Sequence, residues 1–152
     1  MARAFKNGND RQAETRRAAQ MMKRIMIHFR SQMDEKLRPQ GVTTAQLHVL
    51  KVIRDEPGGS GAQLARACYV TPQSAQALIE KAEESGWITR NKDRVNDRIV
   101  TASLTTEGEK LLKIADRFIR NIEAKAWHDI SPRSLERLVK VFEKCLENLG
   151  SK

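Results

Sequence analysis

Apolar residues recur every three or four positions along most of this chain, which is the spacing of one face of an α-helix. The pattern predicts a first helix over about residues 10–37, and Pro39-Gln40-Gly41 ends it. A second helix is predicted to begin at a cap formed by Thr43 or Thr44. It stops at Pro57-Gly58-Gly59, where the backbone cannot continue a helix easily.

Two short helices and a hairpin follow in the middle of the chain. Ser60 is predicted to cap a very short helix, and Thr71-Pro72 begins the next one, which stops at Gly86. The segments "WITRNK" and "RIVTASL" are typical of strands, and "DRVN" between them predicts a hairpin turn. The fold class is therefore mainly α with a small β-hairpin.

Both ends of the chain are predicted to form long helices with one apolar side. The last two helices occupy about 105–127 and the segment that begins at Ser131-Pro132. Because a terminal apolar stripe in a small domain usually packs on another chain, we expect a homodimer. The predicted parts are an N-terminal dimerisation helix and linker at 1–42, a compact module at 43–105 and C-terminal dimerisation helices at 106–152.

The segment "SGAQLARACYVTPQSAQALIEKA" predicts a helix-turn-helix within the compact module. Its expected inward positions are Leu64, Ala65, Cys68, Ala75, Leu78, Ile79 and Ala82. The small side chains of Ala65 and Ala75 would let the two helices cross closely. The expected outward positions of the second helix are Thr71, Gln73, Ser74, Gln76, Ala77 and Lys81.

These outward side chains fit a helix that reads double-stranded DNA. The major groove is about 12 Å wide, so short polar side chains fit it and can hydrogen-bond base edges. The hairpin would add phosphate or minor-groove contacts, because it is basic. The predicted DNA-binding residues are therefore the outward positions above with Ser60, and the basic hairpin residues Arg90, Lys92, Arg94 and Arg98.

Composition supports this interpretation and weakens others. The 152 residues include 28 Lys and Arg against 19 Asp and Glu, a net charge of +9 that is spread along the chain. Such a surface favours nucleic acid as the partner, with an anionic membrane second. We expect a cytoplasmic protein without a membrane segment, metal or cofactor. An enzyme is not expected, since the sequence has no Gly-rich phosphate loop and no nucleophile elbow.

The chain resembles the MarR family of winged helix-turn-helix transcription regulators over about residues 15–149. The resemblance rests on "TTAQLHVLKVI", on "AQLARACYVTPQSAQALIEKAEESGWITR" and on "NDRIVTASLTTEG". In the last segment, Arg98, Leu104, Thr105 and Gly108 stand at matching positions. It implies an obligate dimer on a pseudo-palindromic operator, usually a repressor. It further implies release by a small aromatic acid or phenol that binds between the dimer helices and the winged module.

Candidate ligand contacts lie on the first two helices. Met22, Met26, His28, Phe29 and His48 could line such a cavity, although core packing explains the methionines and a structural role explains the histidines.

Two alternatives to a ligand-responsive regulator stay open. Cys68 is either a core residue or the thiol of a redox-responsive regulator with the same fold. The second alternative is an architectural protein that binds DNA without regard to sequence.

Overall fold

The computed structural model describes residues 8–92 and 100–150. Within these ranges lie six α-helices, one short 3₁₀-helix and two β-strands, which confirms the predicted fold class. The helices are α1 (Gly8–Leu37), the 3₁₀-helix (Arg38–Gln40), α2 (Thr44–Asp55), α3 (Gly61–Ala67), α4 (Pro72–Glu84), α5 (Thr106–Ala126) and α6 (Pro132–Asn148). The strands are β1 (Ile88–Lys92) and β2 (Val100–Leu104). None of the helices in the described ranges has the length and hydropathy that a membrane-spanning segment requires.

The chain divides into two compact units, Met1–Ile119 and Arg120–Lys152. The first contains the helices and strands up to most of α5, and the second contains the end of α5 and all of α6. This division follows internal packing. The three-part division at residues 42/43 and 105/106 follows expected roles in dimerisation and DNA binding, and it stays a prediction.

Side-chain caps set the helix starts that the sequence predicts. Thr43, rather than Thr44, caps α2, because Gln46 lies three residues later and completes a capping box. The Thr43 hydroxyl accepts the N–H of Gln46 at 3.2 Å, and the Gln46 side chain accepts the N–H of Thr43 at 2.9 Å. Thr71 caps α4 and Pro72 occupies its first turn, where a missing N–H leaves no helical bond unmade.

The core of the larger unit is built from side chains of several elements. Leu37 of α1, Val49 and Leu50 of α2, Ile88 of β1 and Leu112 of α5 are all fully buried. Burying each such side chain contributes about 1.5–3 kcal/mol relative to its exposure. The helix-turn-helix packs beside this core, on α2 and β1.

The two strands form an antiparallel ladder in which Ile88 pairs with Leu104 and Arg90 pairs with Ala102. A further bridge joins Ser60, at the start of α3, to Thr101 of β2. The strand pair is thereby attached to the helix-turn-helix at the beginning of α3. Residues 93–99, which include the predicted hairpin turn "DRVN", lie outside the described residues.

The first turn of α5 approaches the backbone that enters β1. The Thr105 hydroxyl donates to the carbonyl of Gly86 at 2.6 Å, and the Thr105 N–H donates to the carbonyl of Trp87 at 3.0 Å. The same hydroxyl accepts the N–H of Gly108 at 3.1 Å. A Cβ at Gly108 would overlap the Trp87 carbonyl group. Only glycine lets α5 lie this close to the strand entry.

Gly108→Ala should therefore lower the free energy of unfolding by about 1–3 kcal/mol, because backbone atoms rather than a flexible side chain must move. Urea unfolding measures the change. Gly61→Ala is the matched control, since a Cβ at Gly61 meets nothing within 4 Å. Equal stability of the two variants would contradict the close approach.

Candidate nucleic-acid interface

The helix-turn-helix packs through the small and branched side chains that the sequence predicts. Leu64 and Ala65 of α3 and Ala75, Ile79 and Ala82 of α4 are all buried. The remaining two inward positions, Cys68 and Leu78, are only half-buried, because both border a cavity. The buried face of α4 leaves its opposite face free to meet a partner.

The first half of this outward face is exposed and uncharged. The exposed positions are Thr71, Gln73, Ser74, Gln76, Ala77 and Lys81, as predicted. In the part of the chain that the structure describes, Gln73 makes no side-chain hydrogen bond. Gln76 donates to Glu80 at 2.8 Å, an exposed contact that a stronger partner can displace. Gln73 therefore has an amide ready for a base edge.

The hydroxyl groups at the starts of α3 and α4 have two roles. Some cap the helix, and one has a proton that is free to donate. The Thr71 hydroxyl accepts the N–H of Ser74 and donates to the Ser74 side chain at 2.9 Å, so its single proton is used. The Ser60 hydroxyl likewise donates to Gln63 at 2.8 Å. The Ser74 hydroxyl accepts from Thr71 and keeps its own proton. Ser74 is thus the hydroxyl at this tip that can donate to DNA, while Ser60 and Thr71 shape the helices.

Arg90 is paired within the molecule. Its Nε lies 2.6 Å from Oε2 of Glu83, an ion pair rather than an aligned hydrogen bond; the Arg90 side chain is half-buried and that of Glu83 is exposed. The pair ties β1 to the second half of α4, so Arg90 orients the strands and its charge is matched by Glu83. The side chain of Lys92, and all of Arg94 and Arg98, lie outside the described residues.

Acidic residues occupy only the second half of α4. Glu80, Glu83 and Glu84 follow the neutral first half, and Lys81 pairs with Glu84 at 3.1 Å. Carboxylates repel phosphates, so this half of the helix cannot lie deep in a groove. The positive end of the helix dipole lies at the neutral first half, which favours approach to DNA from that end.

A cavity of about 390 Å³ lies within the larger unit, between α1, α2, the turn before α4 and α5. Met26, Phe29 and His48 line it, as the sequence suggested. Met22 and His28 do not line it, and both are exposed on α1. Met22 is one turn nearer the N-terminus than Met26, and only the turn at Met26 reaches the cavity.

The cavity has an apolar interior, and two cationic side chains that the sequence analysis did not select also line it. Arg30 of α1 and Lys51 of α2 both line it. The sequence signal was helical spacing: Arg30 lies four residues after Met26 and three before Met33, and Lys51 lies four residues after Leu47. Arg30 is largely exposed and lies 3.8 Å from Asp34, so its charge is only weakly compensated.

Lys51 also belongs to a charged network between α2 and α5. Its Nζ lies 3.1 Å from Oδ1 of Asp116, and Nη1 of Arg54 lies 3.1 Å from Oδ2 of the same carboxylate. Desolvation acts to raise the pKa of Asp116, but the hydrogen bonds and charges of Lys51 and Arg54 outweigh it and leave that pKa lowered. The carboxylate therefore holds two cations of α2 against α5.

Comparison with known proteins identifies the family. The family model that matches the chain describes the MarR family and covers residues 40–99. The HTH-type transcriptional repressor Rv2887 of Mycobacterium tuberculosis is 30% identical over 132 residues, which are 86% of this chain and 91% of that protein. This chain belongs to the MarR family. The family consists of transcription regulators, so the prediction that the chain is not an enzyme is confirmed.

Solved structures share this MarR-family fold. The DNA complex of S. aureus MepR superposes with a TM-score of 0.76 at 23% identity, over 85% of this chain and 94% of that one. Bordetella bronchiseptica BpsR superposes with a TM-score of 0.72 at 19% identity, over 84% and 91% of the two chains. The BpsR structure is described as a mechanism for regulation of its DNA binding by 6-hydroxynicotinic acid.

The position of Cys68 in this MarR-family chain bears on the redox alternative. The residue is half-buried in the cavity wall, and desolvation raises the pKa of its thiol. Because the thiolate is the reactive form, a raised pKa slows oxidation at neutral pH. Cys145 is exposed on α6. The geometry thus favours a packing role for Cys68.

Replacing the central carboxylate of the network should change stability in a pH-dependent way. Since the pKa of Asp116 is lowered in the folded protein, its stabilisation is present above the unfolded pKa of about 3.9 and is lost as pH falls through the folded value. Asp116→Asn should lower the free energy of unfolding by about 1 kcal/mol at neutral pH. The deficit should shrink below about pH 4.

Urea unfolding of both proteins at neutral and at acidic pH measures that deficit. Glu14→Gln is the control, because Glu14 is exposed and its ion-pair partner in the described ranges is Arg17, which lies outside this network. A deficit of the same size at both pH values would show that Asp116 does not act through its charge.

Proposed function

We propose that this MarR-family regulator is a homodimeric repressor that binds a palindromic operator and leaves it when a small aromatic anion enters the cavity. The observation that supports DNA reading is the outward face of α4. Its first half presents the free amide of Gln73 and the free hydroxyl proton of Ser74, and its charges are confined to the second half. An uncharged tip of this kind fits a groove and can distinguish bases.

The same face disfavours the architectural alternative. A protein that binds DNA through phosphates alone needs Lys or Arg at the contact surface, and its affinity follows salt. Here the tip of α4 carries no cation before Lys81, which is paired with Glu84. The net charge of +9 supplies general attraction, and the neutral tip supplies base recognition.

Exposed apolar side chains support the homodimer. On α1, Met22, Ile25 and Met26 are 45%, 53% and 67% exposed. At the end of α6, Leu146 and the C-cap residue Leu149 are 52% and 80% exposed. Rows of large apolar side chains on a helix typically mark an interface. A second copy of the chain is the partner that fits both the family and a palindromic site.

The cavity supports a small aromatic anion as the effector. Its volume of about 390 Å³ lies in the range of small-molecule sites, which is about 300–1,000 Å³. Phe29 and Met26 would contact an aromatic ring, while Lys51 and Arg30 would bind a carboxylate. BpsR provides a precedent in this fold for regulation by an aromatic acid.

Lys51 gives the effector a route to the DNA-binding module. An anion in the cavity would compete with Asp116 for Lys51 and weaken the charged network between α2 and α5. Since α2 supports the helix-turn-helix, its position relative to α5 bears on where α4 is held. The ligand shifts the equilibrium only because it binds the released arrangement better.

Selection of bound duplexes from a random library should yield a palindrome with half-sites about one helical turn apart. Gln73→Ala should weaken binding to the selected duplex by about 1–3 kcal/mol and leave binding to a random duplex unchanged, because the amide contacts a base. Fluorescence anisotropy at fixed salt measures both affinities.

Gln40→Ala is the control, since Gln40 is an exposed glutamine outside the helix-turn-helix. Equal losses of Gln73→Ala on the selected and the random duplex would count against base reading. If the selection enriches no sequence, the result would support the alternative that the protein binds DNA without regard to sequence.

Salicylate should weaken operator binding by the wild type, and Lys51→Met should reduce the affinity for salicylate about tenfold, because a hydrogen-bonded ion pair is lost. Salicylamide, which has the same shape without the charge, should bind weakly and equally to both proteins. Isothermal titration calorimetry measures these affinities. Lys110→Met, at an exposed lysine paired with Glu107, is the control. Undiminished salicylate affinity in Lys51→Met would exclude Lys51 as the anion contact.

A further inference from the structure

The helices α3 and α4 each end in a backbone turn of the same type, but different residues occupy the position with positive φ. Tyr69 and Gly86 occupy that position, with φ of 55° and 72°. Each donates its N–H to the carbonyl three residues back, at 3.1 Å from Tyr69 and 2.9 Å from Gly86. In both turns the next residue donates to the carbonyl five residues back, at 3.0 Å. This is the Schellman motif, in which glycine is the usual residue.

Tyrosine is strained at that position. A positive φ brings the Cβ of an L-residue close to its own backbone, and for a bulky side chain such a conformation is an outlier. Gly86 shows that this chain can close the same turn without a side chain. The turn at the end of α3 therefore gains nothing from the aromatic ring.

The ring of Tyr69 also contributes little to folding. The residue is 88% exposed, more than any other large apolar side chain in the described ranges. Its hydroxyl makes no hydrogen bond to any residue that the structure describes. An exposed aromatic ring held in a strained backbone, with no hydrogen bond to the described residues, indicates a partner outside the protein.

The place of Tyr69 in the chain indicates which partner. It lies in the turn of the helix-turn-helix, two residues before Thr71, which caps α4. The start of α4 is the end of the helix that the proposed function directs into the major groove. A side chain just ahead of that end meets the sugar-phosphate backbone at the edge of the groove, where tyrosine hydroxyls commonly donate to phosphate oxygens.

We propose that Tyr69 is a DNA-backbone contact, with its hydroxyl donating to a phosphate oxygen and its ring against the adjoining sugar. This inference rests on the proposed function, because it requires α4 to approach DNA by its first turn. Tyr69 is uncharged, so its contact releases no counterion. It should add affinity for every sequence without changing the salt dependence, whereas a lysine or arginine contact changes both.

Tyr69→Gly tests the proposal because stability and binding should change in opposite directions. Removing the strain should raise the midpoint of thermal unfolding by roughly 2–4 °C at equal protein concentration. Affinity should fall about tenfold, and equally, on the selected and the random duplex. The slope of affinity against salt should stay that of the wild type. Tyr69→Phe, which keeps the ring and the strain, should lose affinity without gaining stability.

Asp129→Gly is the matched control. Asp129 is the other non-glycine residue with positive φ in the described ranges, at 61°, and it lies between α5 and α6. Its replacement should raise the unfolding midpoint by a smaller amount, because aspartate tolerates positive φ better than tyrosine, and it should not weaken DNA binding. The control separates relief of strain from loss of a contact.

The outcomes distinguish this proposal from the function on which it rests. Unchanged affinity of Tyr69→Gly for both duplexes, with specific binding by the wild type, would overturn the role of Tyr69 alone. A loss confined to the selected duplex would also overturn it, since that result indicates base reading. If the wild type binds neither duplex, both proposals fail. Binding that follows salt alone, with equal losses in Tyr69→Gly, would keep the phosphate contact and remove base recognition.

Discussion

Ala75, Ile79 and Ala82 bury one side of α4, and this burial fixes the direction of every other side chain on the helix. Two of the three are alanines, so α4 lies close to its neighbours and can rotate little about its own axis. The exposed positions then follow from the helical repeat, and Gln73 faces solvent because Ala75 and Ile79 do not. The candidate DNA interface is thus a consequence of how tightly the opposite face packs.

Charge along α4 sets how far the helix can enter DNA. The neutral first half allows close approach, whereas Glu80, Glu83 and Glu84 oppose it beyond the middle of the helix. One of these carboxylates is also structural, because Glu83 pairs with Arg90 and so ties the strands to the helix. The same acidic segment would therefore limit the depth of insertion, and its Glu83 holds β1 against α4.

Local features were predictable from the sequence, and pairings between distant segments were not. Helical periodicity, the Thr71 cap and the stop at Gly86 depend on neighbouring residues, so the pattern shows them directly. The pairing of Arg90 with Glu83 depends on how β1 crosses α4, which no spacing reveals. The left-handed backbone of Tyr69 was likewise hidden, because tyrosine is not a residue type that signals positive φ.

Lys51 joins the charged network to the cavity, because it pairs with Asp116 and also lines the cavity wall. Its charge is already compensated by Asp116, so an uncharged molecule in the cavity gains little from it and disturbs nothing. An anion that replaces Asp116 restores the compensation for Lys51 but leaves the carboxylate with Arg54 alone. Under the proposed function, only a negatively charged ligand would therefore alter the contact between α2 and α5. The regulator would then select its effector by whether the ligand can replace Asp116 at Lys51, rather than by the shape of the cavity.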